Sequence, residues 1–453
     1  MEKNNISRRK FLTTASTSTL AAVAVSAIPA CGNVNKNTST PAILGGQPIR
    51  NKPLPANWPI WDETEEKAIL SALRSGKWQR FVKDVIATEK KFAEKLGSKH
   101  ALFTTNGTHA LISALHALGI EGGDEVLVTP NTFVATVDTI LLVNALPVFV
   151  DTDPETTMMN ADKLEEKITE STKAIMPVHI EGGVCDMDKI NAIAKKHNLI
   201  VIEDACQAIL AEWKGKKVGT LSDLGCFSFS QPKVLNCGEG GVILGDDEQI
   251  MDKCHSFQNF GRAQRGITGS RYPMLGTKCR ITHFQVALLR AQMSRLEEQT
   301  NKRAENAEYL DSKLNEIPGI LPRKLYDGVT RRAYYVYSFR YKKEQFKGLS
   351  RKKFVSALKA EGIKLKEGNE PPHNHEVKGG FIENTINSKT FQRIYGKKRL
   401  EEYAQQQNCP ENDQLCEEAV SFSCNYLLSG SKKDMDDIYN AILKIYENCD
   451  KLI

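Results

Sequence analysis

From about Leu102 the chain repeats one pattern: a short run of consecutive apolar residues, a turn, then a segment of helical period. The runs are Ala101 to Thr104, Glu125 to Thr129, Leu146 to Val150, Ala174 to Val178, Leu199 to Glu203, Cys226 to Phe229 and Gly241 to Leu244. None alternates with polar residues, which is the signature of strands covered on both faces. Helical stretches such as Thr108 to Leu118 and Met187 to His197 lie between the earlier runs. Strand and helix in alternation predict an α/β fold with a mostly parallel, doubly wound sheet. The interval from Phe229 to Gly241 is too short for a packed crossover helix, so Gly241 to Leu244 is expected to run antiparallel. After Gly276 the pattern changes to a long amphipathic helix, Phe284 to Leu314, stopped by Pro318 and Gly319. An alternating strand, Tyr334 to Tyr341, follows, then helices at Ser350 to Glu361, Lys389 to Gln406 and Lys433 to Asn448. These predict a smaller C-terminal α+β domain over residues 284–453, behind a large domain at 57–283 that opens with a helical lead, Asn57 to His100.

Composition narrows the function classes. At 453 residues and 41% hydrophobic the chain is long enough to bury a sizeable core. Lys+Arg 61 against Asp+Glu 55 leaves +6 with no basic block, so nucleic acid is not an expected partner. Eleven cysteines show no CxxC or metal-ligand spacing, which argues against zinc. Cys206, Cys226 and Cys237 fall in apolar segments, whereas Cys409, Cys416, Cys424 and Cys449 lie in a more polar stretch where any disulfide is expected.

The N-terminus reads SRRKFL at Ser7 to Leu12, followed by an apolar run, Leu20 to Ile28, too short to span a bilayer. SRRKFL resembles a twin-arginine export signal, with Cys31 in the place of a lipid-bearing first residue, although Ile28 and Pro29 depart from the usual lipobox. The resemblance implies a signal over residues 1–31, a tether over 32–56, and a body carried out folded to the periplasm or cell envelope. Membrane contact would then be limited to the signal or the lipid.

Chemistry is expected beyond the carboxyl ends of the parallel strands, where ligands of such sheets sit. Thr105-Asn106-Gly107-Thr108 ends the first strand and opens a helix, offering N–H groups and hydroxyls to a phosphate, or simply capping the helix. Asp204 closes a strand in LIVIEDACQ, where a carboxylate beside apolar residues needs a partner. Ser228 and Lys233 follow the next strand in FSFSQPKVLNCGEGG, and a desolvated lysine amine is a nucleophile towards carbonyls. One cofactor uses all of these groups. Pyridoxal phosphate has a phosphate for Thr108 and Ser228, an aldehyde for Lys233 to capture as an imine, and a ring nitrogen that Asp204 keeps protonated. Phe133 is placed either to stack on that ring or to join the core.

The motifs NGTHALISALHALGIEGGDEVLVTPNTFVAT, PVFVDTDPET, KAIMPVHIEG, VIEDACQA, VGTLSDLGCFSFSQPKVLNCGEGG and RITHFQVALLRAQMSRLEEQ, in this order, resemble the DegT/StrS family of PLP-dependent sugar aminotransferases. The resemblance implies the type I PLP-dependent transferase fold, with a seven-stranded sheet, a smaller C-terminal domain and a homodimer whose active sites lie at the subunit interface. It assigns Lys233 to the imine, Asp204 to the ring nitrogen, Gln207 to the ring hydroxyl, Gly107, Thr108 and Ser228 to the phosphate, and Phe133 to the ring face. Asn259 stands where the family has Asn-His-Gly, and Lys278 replaces an asparagine of its Gly-x-Asn-x-Arg motif. The activity implied moves an amino group from glutamate or glutamine to a keto sugar or keto cyclitol. SGKWQR, KVLNCGEGG and RAENAEYLDSKLNEIPGI look closest to inosose and aminocyclitol aminotransferases. Dehydratase or epimerase chemistry on the same cofactor is the alternative, but dehydratase members carry histidine in place of the lysine. A non-catalytic exported binding protein is the other, and would not need lysine, aspartate, serine and glycine turn together. Glu181 and Gly183 differ from the usual pattern beside the substrate, and His179 is either a ligand contact or a buried structural donor.

Overall fold

Seven strands form the central sheet in the order β1-β9-β8-β5-β4-β2-β3. In sequence they are β1 (His100–Thr104), β2 (Glu125–Val128), β3 (Leu146–Phe149), β4 (Thr172–Met176), β5 (Ile200–Asp204), β8 (Leu224–Ser228) and β9 (Gly241–Gly245). The coordinates are a computed structural model that describes residues 39–263, 269–367, 380 and 382–453. The strands from β3 to β8 are mutually parallel, and β9 runs antiparallel to both of its neighbours, β8 and β1, as the short interval before it requires. The two-residue strands β6 (Glu212–Trp213) and β7 (Lys216–Lys217) join β11 (Val329–Arg331) in a separate ribbon.

Helices cover the sheet on both sides and are set by their caps. Helix α1 (Glu63–Arg74) begins with a capping box of Asp62 and Glu65, and α2 (Lys83–Leu96) ends at Gly97 in the left-handed conformation. Helix α3 (Gly107–Ala117) starts at Asn106, whose side chain accepts from the His109 N–H. Helix α4 (Val134–Leu142) follows β2 and α5 (Met187–His197) follows β4, each connecting a pair of parallel strands. Phe92 on α2 meets Phe103, Phe227 and Phe229 edge to face at 5.5–6.4 Å, a buried aromatic cluster beneath the loop that carries Lys233.

Beyond α6 (Glu248–Gln258), the expected single helix from Phe284 to Leu314 is two: α7 (His283–Met293) and α8 (Leu296–Leu314). At the break the Ser294 hydroxyl donates back to Ala291 O at 2.7 Å, and Arg295 is drawn to Asp62 and Glu65, each at 2.8 Å. A second, antiparallel sheet has the order β10-β12-β14-β13, from β10 (Ile320–Pro322), β12 (Val336–Tyr341), β13 (Lys366–Glu367) and β14 (Ala419–Ser423). Helix α9 (Arg351–Ala360) precedes β13, the helix expected at Lys389 to Gln406 is divided at Gly396, and a last helix spans Lys432–Glu447. Among the described residues no helix is long and apolar enough to cross a membrane.

The stretch read as a tether is fixed from Ser39 onward. The buried Glu361 carboxylate accepts from the Ala42 and Ile49 N–H groups at 2.7 and 3.0 Å and pairs with the Lys444 ammonium at 3.0 Å. Lys444 also donates to Gln47 O at 2.7 Å, and Arg50 pairs with Asp434 at 2.7 Å and with Asp437. Arg8, Arg9 and Cys31 lie outside the described residues. The cysteines expected to form disulfides are buried, and Cys424 and Cys449 keep their thiols.

Candidate active site

A cleft of about 700 Å³ opens at the carboxyl ends of the parallel strands, within the range typical of cofactor and substrate sites. Gly107, Thr108, Phe133, Asp204, Gln207, Ser228 and Lys233, brought from four strand ends, all line it.

Asp204 is buried at the end of β5, and both of its oxygens are held. Oδ2 accepts from the Thr136 hydroxyl at 2.7 Å and Oδ1 from the Cys206 N–H at 3.1 Å. Because Thr136 spends its proton on Asp204, Thr132 must be the donor in the 2.7 Å contact between the two threonine hydroxyls. The carboxylate is therefore fixed in direction by a relay that starts on α4.

Lys233 projects from the loop between β8 and β9. Phe229 N donates to Gly240 O at 2.7 Å, Gln231 N to Gly238 O at 2.9 Å and Lys233 N to Ser230 O at 2.9 Å, so the loop closes on itself. The Trp58 indole donates to Gln231 O at 2.8 Å and pins it from outside. Nζ has no hydrogen bond or ion pair among the described residues. It lies over the rings of Tyr335 and Phe133, whose centroids are 4.3 and 5.9 Å away. Burial pulls its pKa below the ordinary lysine value, with Cys206 and Asp204 opposing.

At the start of α3, the Gly107 and Thr108 N–H groups have no partner within the helix and face the cleft's inner end. A Cβ on Gly107 would stand 2.7 Å from Ser228 Cβ and 3.0 Å from Cys206 Sγ, so only glycine lets the helix end approach β8 this closely. Ser228 Oγ makes only long contacts, 3.4 Å to Ser230 N and Oγ, and stays available to a ligand. Gln207 accepts from the Glu181 N–H at 2.8 Å, which turns its amide along the cleft wall.

Two expected residues lie elsewhere. Asn259, just past α6, accepts from Arg280 Nη1 at 3.2 Å and bridges to Lys278, and neither residue lines this cleft. His179 is buried and structural: Nδ1 accepts from the Cys185 N–H at 3.2 Å, which leaves Nε2 to donate to Glu203 at 3.0 Å. Glu181 is buried against Arg323 instead of bordering the cleft with its carboxylate. Tyr335, Asn131, Thr132 and Thr136 line the cleft without having been singled out in the sequence. Thr136 carried a usable signal, since it falls one helical turn after Phe133; Tyr335 carried none beyond its place in an alternating segment.

A parallel α/β sheet with a lysine, a carboxylate and an anion cradle at its strand ends defines a class of enzyme that works on a phosphate-bearing cofactor. The chain belongs to the DegT/DnrJ/EryC1/StrS aminotransferase family, whose model matches residues 59–442. It is an aminotransferase. It is 35% identical over 423 residues to a putative L-glutamine:3-amino-2,3-dideoxy-scyllo-inosose aminotransferase of Streptoalloteichus tenebrarius, covering 92% of this chain and 100% of that one. It is 37% identical over 294 residues to the GDP-perosamine synthase of Caulobacter vibrioides, covering 64% and 77%. The solved structure of an aminotransferase from Psychrobacter cryohalolentis matches with a TM-score of 0.76 at 29% identity, covering 87% of this chain and 100% of that one.

Proposed function

We propose that the protein binds pyridoxal phosphate in this cleft and moves an amino group from glutamine or glutamate to a keto cyclitol or keto sugar. The single observation that carries the reading is the unpartnered Lys233 amine, sharing one cleft with a held carboxylate and a glycine-lined helix N-terminus. The donor set fits the cofactor: N–H groups and hydroxyls for a phosphate, Asp204 for a protonated ring nitrogen, a depressed amine for an aldehyde. When bound, the cofactor supplies an electron sink for the bond broken at the donor's α-carbon. Lys233 Nζ would hold the cofactor's aldehyde carbon and, when released, would move a proton at the donor's α-carbon, a task favoured by an amine whose pKa burial lowers from the ordinary lysine value. Asp204, unable to turn, holds charge at the ring nitrogen. The names of the relatives support glutamine as donor and a cyclitol or nucleotide-linked sugar as acceptor. Purified protein should be yellow, and glutamine should bleach the band. Lys233→Ala should lose that band and all turnover; a colourless wild type would overturn the reading.

The homodimer belongs to the same proposal. Trp61, Leu73, Trp78, Phe81 and Ile86 are 48–63% exposed on and around α1 and α2, an apolar surface that a second copy would cover. Arg280 stands over the Phe81 ring at 5.0 Å while binding Asn259, so Asn259 and Lys278 sit beside that surface, where the proposed second copy would bring its own cleft. Trp78→Glu with Phe81→Glu should give a monomer with weakened cofactor binding in sedimentation and absorbance titrations. A wild-type monomer that retains full affinity would remove the partner from the site.

Export rests on SRRKFL and the residues up to Cys31. Replacing Arg8 and Arg9 with lysine should hold the precursor inside the cell; unchanged export would sink that part of the reading.

A further inference from the structure

Lys233 Nζ is the chemically decisive atom of the cleft, yet no hydrogen bond from the described residues holds it, and its aromatic neighbours bear on where the amine rests when it is unattached. Two aromatic faces flank it, and they are not equivalent. The Tyr335 centroid is 4.3 Å away, well inside the range of a cation–π contact, whereas Phe133 at 5.9 Å is at its limit. We propose that Tyr335 is a positioning residue for Lys233, its ring face holding the charged amine in the cleft whenever that amine is free.

The ring is itself rigidly placed. Its backbone N–H donates to Glu181 O at 3.2 Å, and two residues earlier the Ala333 N–H donates to Gly182 O at 3.1 Å. At this crossing Gly182 has φ +85° and lies so close that a Cβ there would stand 1.2 Å from Ala333 O. The same turn donates the Glu181 N–H to Gln207 at 2.8 Å, so Tyr335 and Gln207 are set by one piece of backbone. Phe133, by contrast, is 49% exposed at the start of α4, and its ring centroid lies 1.6 Å farther from Nζ than that of Tyr335 (5.9 against 4.3 Å).

The groups that share the cleft with Nζ come from several elements: Asp204 at the end of β5, Cys206 just past it, Glu239 on the lysine's own loop and Lys366 on β13. Asp204 attracts the ammonium from a distance while its oxygens are committed to Thr136 and the Cys206 N–H. Burial works against the charge. The π face 4.3 Å away adds to the pull of Asp204 and favours the cation without bonding it, so the amine stays near its post and can still leave to attack a carbonyl. A carboxylate in the same place would lock it.

The inference rests on Lys233 as the cofactor lysine for its use, and its test is independent of turnover. In the full-length protein stripped of cofactor, the rate at which acetic anhydride labels Lys233 is followed against pH by peptide mass spectrometry, with the folded state checked by circular dichroism. Tyr335→Phe should leave the midpoint unchanged. Tyr335→Leu should lower it by roughly one pH unit, and Phe133→Leu should lower it by less. If the ring only excludes water, Tyr335→Leu opens the cleft and the midpoint moves up; that result, or an equal shift from Phe133→Leu, overturns the proposal. Should Tyr335→Leu fail to fold, Tyr335→Phe and Tyr335→His decide it: a ring without the hydroxyl must preserve the midpoint, and the weaker face of histidine must lower it. In protein carrying the cofactor, a loss of the visible band with unchanged labelling midpoints would count against the cofactor reading and leave the Tyr335 contact standing.

Discussion

A buried amine without a partner destabilises the fold, and at Lys233 that cost can be measured. Its folded pKa is depressed by burial below the ordinary 10.5, so the folded state resists the proton that the unfolded chain accepts. Linkage then makes the cost full at any pH below the depressed value, shrinking as pH rises from there and vanishing only above 10.5, where the amine is neutral in both states. Lys233→Met should therefore raise the Tm of the cofactor-free protein at pH 7, and the gap to wild type should close as pH rises towards 10.5. A gap that persists at alkaline pH would mean that packing, not charge, is responsible. Asp204 is the opposite case, a charge fully supported by its neighbours. Asp204→Asn keeps the shape and discards the charge, and should lower kcat by about 10²-fold or more with the cofactor still bound. Thr136→Val removes one bond to a charged group and should cost less, about ten- to hundredfold in kcat/KM, with little change in the folding midpoint.

At the scale of elements, the cleft depends on two close backbone approaches that tolerate only glycine. Gly107→Ala forces α3 away from β8 and should weaken cofactor affinity more than stability, read by absorbance titration against urea melting. Gly182→Ala must displace the segment between β11 and β12, since its Cβ would fall on the Ala333 carbonyl, and should cost about 3 kcal/mol or more in urea unfolding. The same elements show how much was legible in advance. The parallel strands could be read directly because burial on both faces leaves unbroken apolar runs, and Lys233 and Asp204 could be found because strand ends follow those runs. Strand β14 could not: in Ala419–Ser423, Val420 and Phe422 enter the core while Ser421 and Ser423 line the cleft, and such a short alternating segment is not distinguishable from a loop. Tyr335 and Thr136 were hidden for a related reason. Each reaches the site from the flank of an element whose sequence pattern reports core packing alone.

For the whole molecule, the segment from Ser39 to Leu54 acts as a clasp on the C-terminal half, and its anchor is the buried pair of Glu361 and Lys444. Glu361→Ala would leave the ammonium buried without its partner and two N–H groups unmet, and should cost about 3–5 kcal/mol, read by urea unfolding. Deleting residues 1–50 should do comparable damage, which a passive linker would not. The sheet order carries a further consequence, for synthesis. Within the central sheet strand β1 neighbours only β9, Ala101 against Leu244, with one further bridge from Thr104 to Arg280, so the first strand made is among the last to find a neighbour. At ordinary translation speed that wait is on the order of ten seconds. Throughout it the nascent chain shows an apolar ribbon with open N–H and C=O groups, the kind of edge that invites mispairing. The half of the cleft that follows β1 cannot meet the half that follows β8 until Gly245 has left the ribosome. A chaperone that shields β1 until β9 is made should raise the yield of active protein more than one that acts after release.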